Sequence, residues 1–167
     1  MNSVIANNSL RFFLLLLAQV TIFNNINFLG YVNPYIYIIF ILLFPIKNNR
    51  LVFLLIAFML GMVLDMFSDS GGVHAAAAVL LAYCRPILLK FSFGMLYEHQ
   101  AIKFSNLELG GLITYVSLAA VLHHIVLFSL EIFNISQILQ ILEKTLFSSI
   151  FTIILSILLI ILFGKRK

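Results

Sequence analysis

GMVLDMFSDSGGVHAAAAVLLAYCRP, residues 61–86, places two aspartates, a glycine pair and a histidine between two apolar runs. The glycine pair frees the backbone to turn sharply, so the stretch predicts a helical hairpin. Gly61 lies one helical turn before Asp65 on the same face, and the four alanines after His74 narrow the second helix. Small residues of this kind let two helices pack closely inside a membrane. The stretch therefore predicts that spans three and four of a membrane bundle lie against each other.

The composition supports a membrane protein. Hydrophobic residues make up 63% of the 167 and charged residues only 10%, while the mean hydropathy is +1.14, more than a soluble domain of this size can bury. We predict an all-α integral membrane protein, a six-transmembrane helix bundle forming a single membrane domain over 1–167. The predicted spans are 10–23, 31–46, 51–67, 73–91, 109–132 and 142–163.

The first two runs are shorter than the usual spanning length of about 17 to 25 residues. Either they extend into their asparagine-rich flanks or the bilayer is thinner around them, and a re-entrant path for one of them is the alternative. The stretch 91–108 mixes aromatic and charged residues. It predicts an interfacial helix on the cytoplasmic side, or a plain linker.

The basic residues predict the orientation. They lie between the second and third spans, at or after the end of the fourth span, and after the last span: Lys47, Arg50, Arg85, Lys90, Lys103 and 165–167. By the positive-inside rule both termini are cytoplasmic, and only Lys144 disagrees. These residues lie at helix ends rather than in a patch with aromatics, so no nucleic-acid partner is predicted.

Several polar residues fall within or beside the predicted spans at a similar depth, near the external face: Asp65, Asp69, His74, His123, His124 and Glu131. A carboxylate at such a depth costs about 2 to 3 kcal/mol unless it is paired or near water. One interpretation is a single polar layer that binds the transmembrane or external part of a partner. The other is a hydrogen-bonded structural cluster, with the adjacent histidines pointing in different directions.

A metal site is the third interpretation, since zinc accepts histidine and carboxylate ligands. The chain has no HExxH motif, no histidine pair at i and i+4, and no nucleotide-binding or nucleophile-elbow motif. We therefore predict no catalytic residues, no metal and no cofactor. Cys84, the single cysteine, has no disulfide partner.

Three further features carry simple predictions. Arg85 should extend to the cytoplasmic headgroups beside Pro86, with a contact to a cytoplasmic partner as the alternative. The tyrosines at 31, 35 and 37 suit an interfacial belt. Hydroxyl residues of the last span are candidates for one helix contact: Ser148, Ser149, Thr152 and Ser156.

Three motifs together resemble the MreD family of rod shape-determining membrane proteins, most closely its Bacteroidetes branch. They are PYIYIIFILLFP at 34–45, the hairpin at 61–86 and LHHIVLFSLEIF at 122–133. The resemblance implies a non-enzymatic scaffold of the cell-elongation complex in the bacterial inner membrane, positioning peptidoglycan synthesis through MreC. The implied further partners are the MreB filament, RodA, a class B penicillin-binding protein and the lipid bilayer, with a second copy of the chain as another candidate.

The resemblance also marks positions as important: Gly61, Asp65, Gly72, His74 and Arg85. MreD-like proteins are distantly similar to the S components of energy-coupling vitamin transporters. That similarity implies the alternative function, a membrane subunit that binds or transports a small solute.

Overall fold

The computed structural model describes residues 2–28, 30, 32–46, 49–98 and 108–164. Within these ranges the chain is helical without a β-strand, which confirms the all-α class. The helices are α1 (Asn2–Thr21), α2 (Ile38–Leu43), α3 (Arg50–Ser68), α4 (Val73–Phe93), α5 (Met95–Glu98), α6 (Leu109–Ile132) and α7 (Ile138–Gly164). All except α2 and α5 are long and apolar enough to cross a membrane. The protein is a multi-pass membrane protein.

The first helix is longer than its apolar run. It starts at Asn2 rather than near residue 10, so the run extends into its asparagine-rich flank, one of the two predicted options. Its 20 residues correspond to about 30 Å at 1.5 Å per residue, enough to cross the hydrocarbon core.

The second predicted span, 31–46, is wrong as a helix. Only Ile38–Leu43 is helical there, flanked by irregular backbone on both sides. Proline explains where the helix stops, because the residue before a proline avoids helical backbone. Phe44, which precedes Pro45, has φ −59° and ψ 143°. We call residues 32–46 the broken segment; Tyr31 lies outside the described residues.

The broken segment runs along the bundle between its two ends. The hydroxyl of Tyr37 lies beside the ring of His74, in the first turn of α4. Seven residues later, the ring of Phe44 stacks on that of Phe53 in the first turn of α3, with centroids 4.6 Å apart. Because α3 and α4 are consecutive helices of a hairpin, these contacts lie towards opposite ends of the pair. We call them the hairpin end, where α3 turns into α4, and the opposite end, where α3 begins.

Each long helix packs on the next, and together they surround the broken segment. Helix α4 lies between α3 and α6, α7 packs on α6, and α1 packs on α3. The closest backbone approach is at Gly61, where a Cβ atom would lie 2.3 Å from the Cα of Ala75. The prediction that spans three and four lie against each other is confirmed, and only glycine fits at this crossing.

The hairpin turn depends on left-handed backbone. Helix α3 ends at Asp69, whose φ is 51°, and Gly72 precedes α4 with φ 98°. The glycine adopts this conformation without a Cβ clash, whereas aspartate does so at a small cost. At the other end of α3, the side chain of Asn49 accepts a hydrogen bond from the Leu51 N–H at 2.9 Å and caps the helix.

Helix α7 packs on α6 and buries its hydroxyl residues. The four predicted contact residues are each no more than 2% exposed: Ser148, Ser149, Thr152 and Ser156. Thr152 lies at the contact with α6, since its hydroxyl is 3.2 Å from His124 Nε2. The prediction of a helix contact is confirmed for Thr152, and for the three serines it stays a prediction.

Part of the predicted interfacial helix lies outside the described residues. Residues 91–93 belong to α4, α5 occupies Met95–Glu98, and residues 99–107 lie outside the described ranges. The same holds for the basic residues Lys47 and Lys103 and for 165–167.

Candidate functional site

The polar network of the bundle centres on the backbone of the broken segment. Backbone N–H and C=O groups at membrane depth need hydrogen-bond partners, and irregular backbone does not supply them internally. Five of the segment's helical residues, 38–42, are no more than 3% exposed, so water does not reach them. Side chains from four surrounding helices supply the partners instead.

The hairpin-end half of the segment is held by α1 and α7. Gln19, which is 1% exposed, donates from Nε2 to the carbonyl of Pro34 at 3.1 Å. Its Oε1 accepts from the N–H of Tyr37 at 3.3 Å. From α7, the Oγ1 of Thr152 accepts from the N–H of Tyr35 at 2.9 Å. One amide and one hydroxyl thus satisfy three backbone groups in the irregular stretch before α2.

The other half is held by Arg85 and Tyr115. The Nη2 of Arg85 donates to the carbonyl of Leu42 at 3.0 Å and also to that of Phe44. The hydroxyl of Tyr115 accepts from Arg85 Nε and donates to the Leu42 carbonyl, both at 3.1 Å. The carbonyls at the end of a helix have no partner within it, and a cation there is favourable. Arg85 therefore caps the C-terminus of α2.

The prediction that Arg85 extends to the headgroups is wrong, and the alternative contact with a cytoplasmic partner stays a prediction. The Arg85 side chain turns into the protein, is 4% exposed, and lies over the ring of Phe53 at 5.2 Å. A second arginine approaches the same place, since Arg11 of α1 lies 3.5 Å from the carbonyl of Leu43. The carbonyls at the C-terminal end of α2 have no hydrogen-bond partner within the helix, which explains why a cation is stable there.

Tyr37 links two histidines that come from different helices. Its hydroxyl lies 3.2 Å from His74 Nδ1 and 2.5 Å from His123 Nε2, and all three residues are buried. A phenol has one hydrogen to donate, so one ring nitrogen accepts it and the other donates an N–H to the oxygen. The network thus joins the broken segment, α4 and α6 and sets complementary tautomers on the two rings.

His124 points to a different partner. Its Nδ1 donates to the carbonyl of Ala120 at 2.6 Å, which leaves Nε2 to accept from the hydroxyl of Thr152 at 3.2 Å. Thr152 therefore connects α6, α7 and the broken segment through one oxygen. The adjacent histidines point in different directions, as the structural-cluster interpretation expects.

Asp65 caps the N-terminus of the neighbouring helix and, within the described ranges, does not bond to a histidine ring. Its Oδ1 accepts from the backbone N–H of His74 at 2.9 Å and from the hydroxyl of Ser70 at 2.5 Å. Its Oδ2 accepts from the N–H of Ala75 at 2.9 Å. The first N–H groups of a helix have no partner within it, and its N-terminus favours a negative charge. A carboxylate from α3 therefore starts α4, across the hairpin turn.

The prediction of one polar layer is wrong for two of its six members. Asp69 is exposed at the end of α3. Glu131, whose side chain is 41% exposed, pairs with Lys144 Nζ at 2.9 Å. The remaining four are buried: Asp65, His74, His123 and His124. The three histidine rings lie beside tyrosines of the broken segment, whereas Asp65 contacts the start of α4. Asp69 and Glu131 lie where their helices end, at the hairpin end of the bundle.

The arrangement binds backbone rather than presenting reactive groups. In the described part of the chain, no three histidine, cysteine or carboxylate side chains are grouped as metal ligands. Each hydrogen bond that Asp65 and Arg85 make goes to a backbone group or to a hydroxyl. The buried polar network therefore holds one irregular chain segment in place inside the membrane.

Four members of the network are absent from the sequence-based candidates: Gln19, Tyr37, Tyr115 and Thr152 in that role. Tyr35 and Tyr37 are expected in an interfacial belt, and that prediction is wrong because both pack among the histidines. The sequence does contain a feature that indicates such a network. Two prolines bracket a short apolar run, and a broken helix in a membrane requires polar side chains nearby.

Comparison of the chain with protein-family models, with curated proteins and with solved structures found no significant match.

Proposed function

We propose that the protein is a non-enzymatic membrane scaffold of the MreD type, which positions peptidoglycan synthesis in the bacterial inner membrane. The observation that carries the proposal is the use of the interior polar side chains. Asp65, Arg85 and the histidine pair are engaged with the fold itself. A rigid bundle whose interior is fixed in this way suits a protein that works through its surface.

We further propose six crossings, with the broken segment as the second. The N-terminus and the C-terminus then lie on the same side, which the basic loops place in the cytoplasm. Lys144, the exception to this pattern, pairs with Glu131 and lies 5.5 Å from the ring of Phe128.

The proposed partner is MreC, through its single membrane helix, with MreB, RodA and a class B penicillin-binding protein in the same assembly. Among the predicted contact residues, Asp69 and Glu131 are the exposed carboxylates. Partner residues must be accessible, so these two are the best candidates for a contact outside the hydrocarbon region. Asp65 and His74 then act indirectly, by holding the hairpin.

Co-purification tests the proposal. Tagged protein extracted from native membranes in a mild detergent should recover MreC, and an unrelated single-helix membrane protein should stay in the flow-through. Glu131→Gln should reduce recovery if the carboxylate contacts the partner, while Glu108→Gln, an exposed carboxylate at the start of α6, serves as the matched control. Repeated failure of the unaltered protein to recover MreC would remove the scaffold proposal.

A small-solute binding or transport subunit is the second candidate, and one observation favours it. Several polar atoms of α6 and α7 are buried without a hydrogen-bond partner in the described ranges: His123 Nδ1, Ser148 Oγ, Ser149 Oγ and Ser156 Oγ. Discontinuous segments and unpaired polar groups mark the sites of many transporters. A solute that binds there should raise the Tm by mass action. If vitamins, amino acids and peptidoglycan fragments all leave the Tm unchanged, this candidate loses its support.

A further inference from the structure

An apolar groove of about 540 Å³ runs along the outer face of the α3–α4 hairpin. The small residues Gly72, Ala75 and Ala76 form its floor. The larger side chains of Phe58, Met62 and Tyr83 form its walls. The groove extends from Gly72 to Tyr83, eleven residues further along the chain, about 17 Å of helix. It therefore reaches from the hairpin end across more than half of the membrane-spanning length.

The two ends of this groove differ in charge. At the opposite end, the exposed guanidinium of Arg50 lies 4.6 Å from the centroid of the Tyr83 ring, which is part of the wall. At the hairpin end, the exposed carboxylate of Asp69 is three residues before Gly72. An anionic group is thus attracted to the Arg50 end and repelled from the other.

The position of Arg50 suits a phosphate group. A guanidinium stacked on an aromatic face keeps its in-plane N–H donors directed outward. Those donors match two oxygens of a phosphate, and such pairs are among the stronger hydrogen bonds in proteins. Arg50 is also the first residue of α3, where a membrane helix meets the headgroup region.

We propose that this groove binds one anionic phospholipid from the leaflet at the Arg50 end. Its phosphate pairs with Arg50, and one acyl chain lies along the alanine floor towards the hairpin. The charge at one end selects the headgroup, and the apolar walls accept the chain. Basic pockets between membrane helices recognise anionic headgroups on the same principle.

The test compares phosphatidylglycerol with phosphatidylcholine on the purified full-length protein. Native mass spectrometry counts the lipids that remain bound after titration from mixed micelles. The unaltered protein should retain phosphatidylglycerol preferentially. Arg50→Gln should lower its affinity about fivefold, the effect of one basic residue near the membrane surface. Ala76→Phe, which fills the exposed floor, should remove binding of either lipid at this position.

Two variants control for charge and for added bulk. Lys144→Gln removes one positive charge at the hairpin end of the bundle, and Val121→Phe adds the same ring on the exposed face of α6. Both should leave the preference intact. Equal retention of the two lipids by the unaltered protein overturns the proposal, as does an unchanged preference in Arg50→Gln. A shift from dimer to monomer in Ala76→Phe would instead assign the groove to a second copy of the chain.

Discussion

At the scale of single residues, Asp65 decides whether the hairpin forms. Its two oxygens accept three hydrogen bonds, two of them from the first turn of α4. An asparagine has the same shape but only one acceptor oxygen, so its NH₂ group would face an N–H donor. An unsatisfied group in a buried position costs about 1 to 3 kcal/mol. The charge of Asp65 therefore matters for folding before any partner is considered.

We expect Asp65→Asn to lower the Tm of the purified protein in detergent. Asp69→Asn makes the same chemical change four residues further on, at an exposed position. It should stay within about 0.5 kcal/mol of the unaltered protein, as surface substitutions usually do. Equal melting temperatures for the two variants would contradict the capping role. Loss of MreC from Asp65→Asn at an unchanged Tm would return Asp65 to the partner surface.

Gly61 makes a second prediction at this scale. A methyl group there would lie 2.3 Å from the Cα of Ala75 and 2.6 Å from the carbonyl oxygen of His74, so backbone must move. Gly110→Ala is the control, because a Cβ at that helical position meets nothing within 4 Å. We expect Gly61→Ala to lower the Tm, and Gly110→Ala to keep or raise it by the helix preference of alanine, up to about 1 kcal/mol. If Gly61→Ala is as stable as its control, the close crossing of α3 and α4 is wrong.

At the scale of elements, the broken segment depends on its neighbours for several hydrogen bonds that a continuous helix would make for itself. Arg85 is the strongest single contributor, because it serves the carbonyls of Leu42 and Phe44 and the hydroxyl of Tyr115. A lysine keeps the charge but has one nitrogen instead of three and cannot reproduce the fork. Removing this side chain should therefore free the C-terminal end of α2.

We expect Arg85→Lys to destabilise the protein by about 2 to 3 kcal/mol, since hydrogen bonds from a charged donor contribute about 1.5 to 3 kcal/mol each. Arg50→Lys is the matched control, because Arg50 is exposed at the start of α3. Thermal unfolding in the same detergent gives the comparison. Limited proteolysis adds a local measurement, since cleavage near residues 44–46 should rise only in Arg85→Lys. Similar stability of both variants would show that α2 does not need its cap.

The predictable parts of the fold are those set by local sequence. The hairpin followed from Gly61, Asp65 and the glycine pair, because turn chemistry and small-residue packing act over a few residues. The broken segment did not follow, because an apolar run looks the same whether lipid or protein surrounds it. The role of Arg85 was also hidden, since its partners are backbone carbonyls 41 and 43 residues away. Every residue has a backbone carbonyl, so the sequence does not show which carbonyls accept these hydrogen bonds.

At the scale of the whole molecule, the path of the broken segment determines the topology. Asn24, just after α1, donates to Ser68 at the end of α3 at 3.0 Å, so α1 ends at the hairpin end. Helix α3 begins at the opposite end with Arg50. The chain must therefore pass from one end to the other between them, and residues 32–46 lie on that path. If residues 32–46 cross the membrane along this path, as proposed, they and the five long helices make six crossings, an even number.

An even number of crossings predicts that both chain termini face the same compartment. Reporter fusions at the N-terminus and at the C-terminus should give the same compartment signature in intact cells. Single cysteines in a Cys84→Ala background refine the comparison: Asn27→Cys and Ser136→Cys should react with an impermeant thiol reagent added outside, and Asn49→Cys only after lysis. Termini in different compartments would mean that the broken segment returns to the side it came from. In that case α1 would have to lie antiparallel to its present direction, and the contact between Asn24 and Ser68 could not form.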